Sequence, residues 1–248
     1  MVPAALQHGT RDERVAALRR RLAAVPAKGV GARPPDVTRP IPVVAVPPAL
    51  GELLPRGGLV RGTVVSVSGS SSLLLGLLAA ATAEGGWAGV VGRPGLGLLA
   101  AVEMGADLAR LALVPCPGPN SVDVAAILLD GLDLVVLDLA GVSVAPTRAR
   151  GLVARARHRG GVLVVTGGSW PGVELGLHAE VVGHAGLGLG HGRLRGRELI
   201  VAVQGRGQAG RRRTARVLLH PEGSGVQWQT TLAVPGPVEE LSHQQALG

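Results

Sequence analysis

The residues whose types and spacing could do chemistry gather at Gly69-Ser70-Ser71-Ser72, between a β-branched run, Thr63–Ser68, and an almost wholly apolar run, Leu73–Glu84. Alternating β-branched and small residues predict a strand, and the serines supply turn chemistry and a helix cap. Gly85-Gly86 then stops the helix. A strand that turns straight into a helix aims backbone N–H groups at a point where a phosphate can sit. The side chains that would complete such a site are missing. A phosphate-cradling loop places Gly-Lys-Ser/Thr at the head of the helix, so that the lysine reaches the outer phosphates. Leu73, Leu74 and Leu75 stand in that region, and the single lysine of the chain, Lys28, lies far outside it. Asp138 closes the second suggestive stretch, the apolar run Leu134–Leu139. A strand-end acid there suits either a residual metal or nucleotide role or a structural carboxylate bonded to nearby backbone N–H groups.

Other chemistries find little support. His178, His184 and His191 stand six and seven residues apart, unlike the three- or four-residue spacing of helical zinc pairs. With Cys116 the sole cysteine, neither a metal site nor an internal disulfide is expected. No Gly-x-Ser-x-Gly elbow is present. The glycine-rich Gly92–Gly97, ahead of a helix, suits either a weak anion site or a simple turn between a strand and a helix. What the chain does have is clustered positive charge within a net +8. Arg155 and Arg157 fall in the run Arg148–Arg159, which holds five arginines and no acid; Arg193, Arg195, Arg197, Arg211, Arg212 and Arg213 fall in a second basic stretch. Such clusters face a polyanion or an acidic partner, or are simply solvated. The Arg211–Arg213 run sits between two expected strands and so reads as an exposed hairpin loop. No aromatic residue interleaves with these arginines, which argues against base stacking.

The elements that must position these residues alternate along the chain. Strands are expected at Thr63–Ser68, Trp87–Val91, Leu111–Val114, Leu134–Leu139 and Gly161–Thr166. Helices are expected at Leu73–Glu84, up to Met104, from Asn120 or Ser121 through Leu129, and at Arg148–Arg159. From Trp170 to Gly192 the pattern reads as loop around a short Leu175–Val182 segment, followed by antiparallel strands at Glu198–Val203, Arg216–Leu219 and Val226–Thr231. This is an α/β protein with a mixed, mainly parallel sheet flanked by helices, antiparallel at its C-terminal edge. At 46% hydrophobic, with no Phe or Tyr, the core must be aliphatic. Before it, Thr10 and Glu13 have capping-box spacing, and Val15, Leu18 and Leu22 form one apolar stripe. That helix suits packing on its own domain or docking on a neighbour, and the Pro/Gly-rich Ala27–Pro48 gives it reach. The organisation expected is an N-terminal arm and linker at 1–48, a core at 49–232 and a loose tail at 233–248. No apolar signal core or spanning segment is evident, so a soluble cytoplasmic protein is expected.

The stretch Val43–Gly69, VVAVPPALGELLPRGGLVRGTVVSVSG, resembles the segment that enters the nucleotide loop of the RecA recombinase core. Leu132–Leu139, LDLVVLDL, is similar to its Walker-B strand, with Asp138 as the terminal acid, and Arg216–Trp228 resembles its last hairpin. Where RecA carries a water-activating glutamate this chain has Gly92-Arg93-Pro94, and only Gly167–Gly176 stands where RecA has a long DNA-binding loop. A RecA-like core emptied in this way, with Trp170 and the segment GHGRLRGRELIVAVQGRG (Gly190–Gly207), looks most like the ImuA group, in its actinobacterial ImuA-prime branch. The resemblance implies a non-catalytic accessory protein of the DNA-damage-induced mutasome, within the SOS response. It implies no cofactor, and partnership with an ImuB-like pseudo-polymerase and an error-prone C-family polymerase in translesion synthesis. A DNA-binding RecA paralogue that modulates recombinase filaments is the alternative.

Overall fold

The computed structural model describes residues 42–188, 191–206 and 212–233. All belong to the second of the chain's two units, Ile41–Gly248. Val15, Leu18, Leu22, Arg211 and the tail beyond Ala233 lie outside the described residues.

The elements run β1 (Val43–Val44), α1 (Pro48–Gly51), β2 (Leu59–Val60), β3 (Val64–Gly69), α2 (Ser71–Ala83), β4 (Ala88–Val91) and α3 (Leu98–Glu103). They continue with β5 (Leu111–Val114), α4 (Ser121–Leu128), β6 (Leu134–Asp138), α5 (Pro146–Arg159) and β7 (Val162–Thr166). Four longer strands follow: β8 (Leu175–Gly188), β9 (His191–Gly205), β10 (Arg213–Glu222) and β11 (Gly225–Ala233). β1 and β2 form a small antiparallel pair, and the other strands form one nine-stranded sheet in the order β11-β10-β9-β8-β3-β7-β6-β4-β5. From β8 to β5 every pairing is parallel, and from β8 to β11 every pairing is antiparallel. The expected mixed α/β sheet, antiparallel at its C-terminal edge, is what the chain forms.

Both faces of the parallel part are covered, which is why its strands read as continuous apolar runs. Leu73, Leu74, Leu77 and Leu78 of α2 pack on one face with Val65, Val67, Leu177, Leu199 and Val201. On the other face Ala125 of α4, Leu129 just after it, and Ala149, Leu152 and Ala156 of α5 pack against Val135, Leu137, Leu163, Val165 and Trp170. α2 is buried nearly all round, as its composition demands.

Three expectations need correction. Trp170–Gly192 is not loop around a short segment: β8 runs unbroken from Leu175 to Gly188. β9 begins at His191, seven residues before the expected start at Glu198. The intervening glycines have low strand propensity, but hairpin pairing with each other supplies the ladder that the sequence pattern hides. Arg213 opens β10 rather than lying in a loop; it pairs with Val203, and its guanidinium donates to the Leu53 carbonyl at 3.4 Å.

Candidate functional site

The parallel strands β3, β6 and β7 end side by side, and a cavity of about 390 Å³ opens beyond their carboxyl ends. In α/β sheets this is where ligands bind. Its polar lining comes from Ser68, Ser70, Ser71, Arg93, Asp138 and Thr166. β3 reaches this point through Gly69 at φ 82°, where a Cβ would run into the carbonyl oxygen of Ala179 on β8. Ser70 then donates its N–H to that same carbonyl at 2.7 Å and caps α2, its Oγ accepting from Ser72 N–H at 3.3 Å. The helix starts at Ser71. One residue therefore joins strand to helix, and no loop long enough to wrap an anion stands between them. Leu73 and Leu75 point into the core, 0% and 5% exposed, while Leu74 floors the cavity.

Arg93, from the loop after β4, spans the cavity. Its Nη1 donates to Asp138 Oδ2 at 3.2 Å and lies 3.5 Å from Thr166 Oγ1, while Nη2 donates to Ser71 Oγ at 3.3 Å. The other carboxylate oxygen, Asp138 Oδ1, accepts from Ala140 N–H at 2.9 Å. That bond holds a turn in which Ala140 has φ 50°, a value costly for a residue with a Cβ. Both oxygens of Asp138 are thus engaged within the fold, one by the backbone and one by a guanidinium.

The sequence profile of the MT3502 N-terminal domain matches residues 52–172, a span that contains every polar residue of this cavity. A Mycobacterium tuberculosis protein, "Uncharacterized protein Rv3395c", is 55% identical over 140 residues, which is 56% of this chain and 69% of that protein. The chain belongs to the family of that protein.

In this family member the other arginines singled out from the sequence do not line this cavity. Arg155 on α5 grips Asp130 through Nε and Nη2 at 2.7 and 2.6 Å, and Arg159 joins at 3.2 Å. These bonds, with Arg155 foremost, hold the Asp130 carboxyl below its ordinary value against a partly opposing effect of burial; Arg155 is raised in return. Arg157 pairs with Glu174 at 3.0 Å. Arg197 donates to Ser72 Oγ at 3.2 Å, beside the head of α2. Arg193, Arg195 and Arg212 are exposed, with no acidic partner among the described residues. His178 shares a hydrogen bond with Ser68 Oγ at 2.9 Å. Among the described residues no three His, Cys, Asp or Glu side chains gather as metal ligands, and no helix is long and apolar enough to cross a membrane.

Arg93 entered the sequence reading only as part of Gly92-Arg93-Pro94, not as a residue of the site. It was visible as the one cation in a loop leaving a buried strand, close to where Asp138 had to end up. Reading Gly92–Gly97 through its glycines, as a turn or a weak anion site, hid what its second residue does.

Proposed function

We propose that this chain is a non-catalytic, RecA-like accessory protein of the DNA-damage-induced translesion synthesis machinery, of the actinobacterial ImuA-prime kind. It acts from the cytoplasm through contacts with an ImuB-like pseudo-polymerase and an error-prone C-family polymerase. The observation that carries the reading is the cavity at the strand ends. A single residue, Ser70, stands where a phosphate loop would be, and Arg93 lies across the space to Asp138. Phosphoryl transfer relies on positioning and charge stabilisation by a loop, a lysine and a metal-binding acid. Here the loop has no length, the region has no lysine, and the acid is already bonded on both oxygens. A RecA-like ancestry is supported by helices on both faces of a mainly parallel sheet, by the acid ending β6, and by the C-terminal hairpin β10–β11. The apolar stripe Val15, Leu18 and Leu22 is the proposed docking arm.

Two measurements test this. Isothermal titration of the full chain with Mg·ATP is expected to give no saturable heat, and a micromolar Kd would overturn the non-catalytic reading. Capture from DNA-damaged cells is expected to retain both polymerase partners, and Leu18→Asp with Leu22→Asp to lose them without moving the core's melting temperature. Capture of neither polymerase by the unaltered chain would overturn the adaptor assignment.

A further inference from the structure

β8 and β9 outrun the sheet that holds them. β3 pairs with β8 only as far as Ala179, and β10 pairs with β9 only from Arg197 onward. Beyond those points the two strands pair with each other alone, closing on Gly188 opposite His191. The result is a free two-stranded ribbon with exposed side chains on both faces: Leu187 and Leu194 on one, Arg193 and Arg195 on the other.

The charge on this ribbon is one-sided. Strand alternation puts Arg193, Arg195 and Arg197 on one face, where Arg195 lies against the Cβ position of Gly186 and His184 joins them as the register partner of Arg197. No acid occurs between Val181 and Arg197. Glu198 belongs to the opposite face, where it pairs with Arg216 at 3.3 Å, and Glu180 shares that face as the partner of Ile200. The basic face continues the one on which α2 packs, and Arg197 fixes its base beside the helix N-terminus, the positive end of the helix dipole. The ribbon is also thin. Gly183, Gly186, Gly192 and Gly196 carry no side chain, and shifts of register at Val181/Gly183 and Ala185/Leu187 increase its twist. Leu187 and Leu194 are isolated apolar side chains of an ordinary surface kind.

We infer that this ribbon is a binding arm for double-stranded nucleic acid, seated in the major groove with Arg193, Arg195 and Arg197 against the phosphates. The major groove, about 12 Å wide, admits a two-stranded β-ribbon. Slimness, a coiled shape and a row of cations without acids are what that seat requires. The lack of any Trp, Tyr or Phe on the ribbon disfavours a single strand, whose binding draws on base stacking. Arginines that meet phosphates carry no sequence information, so the arm is indifferent to sequence. The inference does not depend on the adaptor reading.

The test is fluorescence anisotropy of the full chain with a short labelled duplex, the matching single strand, and labelled poly-glutamate, across a salt series. The duplex is expected to bind more tightly than the single strand. Arg193→Ala with Arg195→Ala should weaken duplex binding roughly tenfold or more at low salt and lower the log–log salt slope by about 1.8, two phosphate contacts at about 0.9 each. Arg148→Ala with Arg150→Ala makes the same charge change on α5, across the sheet, and should leave binding within about twofold if contacts rather than net charge decide it. Unaltered duplex binding by the ribbon variant overturns the inference, as does an equal loss in the α5 variant. Single-strand binding as tight as duplex binding, or binding of poly-glutamate without the duplex, overturns it too; the last would make the arm a seat for an acidic protein. An unchanged melting temperature in both variants separates these outcomes from misfolding, since all four side chains are exposed.

Discussion

Asp138 and Arg93 form an ion pair whose side chains are only 17% and 28% exposed, yet the two partners are not equal. Asp138 also satisfies the N–H of Ala140 in a strained turn, so Asp138→Ala should destabilise the chain by about 1–3 kcal/mol. Arg93→Ala removes this partly exposed pair and the hydrogen bond to Ser71 Oγ, and should cost about 1 kcal/mol. Urea midpoints of the two variants settle the order; an Arg93 variant as damaged as the Asp138 variant would mean that the guanidinium is the anchor. Asp130 gives a pH signature. Its folded pKa is lowered from 3.8, chiefly by the hydrogen bond from Arg155, so the stabilisation is complete above that value and fades as pH falls below it. Asp130→Asn should flatten the acid limb of the stability curve below pH 3.8 and slightly lower stability at neutral pH. A limb as steep as before would remove Asp130 from the account. At this scale the sequence was readable where chemistry is carried by type: the strand-end acid, the missing lysine, the capping serine. Pairings such as Arg155 with Asp130 depend on helix and loop meeting across the fold, and nothing local announces them.

Among the elements, α2 was the most legible because a helix apolar on every side has one place to go. Its Gly76 was less so. A Cβ there would collide with the indole of Trp228 on β11 and touch Pro47 Cγ at 3.2 Å. Gly76→Ala therefore sets a helix-propensity gain of up to about 1 kcal/mol against overpacking of about 1–3 kcal/mol. We expect the clash to prevail, with Tm falling by several degrees and recovering when Trp228→Leu is added. A rise in Tm in the single variant would show that the indole simply moves aside. The β8–β9 ribbon was illegible for the opposite reason. Glycine-rich strands lack both the alternation and the β-branched residues that mark a strand, and only the partner strand holds them.

For the whole molecule, one sheet serves both cores, with Trp170 buried on one face and Trp228 packed on the other. Their fluorescence, read in variants keeping one tryptophan each, should report coincident urea transitions. Separate midpoints would divide the cores into independent folding units. The parallel centre and antiparallel edge were legible from the order of periodic segments, whereas the sheet's strand order was not, since crossovers leave no mark in a single sequence. The one-residue join at Ser70 also limits what descendants of this chain can acquire. Leu73→Lys would place an ammonium at a position 0% exposed, at a cost of several kcal/mol, and would still leave no slack for backbone N–H groups to curl around a phosphate. Point substitutions alone do not lengthen the one-residue join between β3 and α2. A longer connection between Gly69 and Ser71 would be needed first, and Arg93 would then have to leave Asp138.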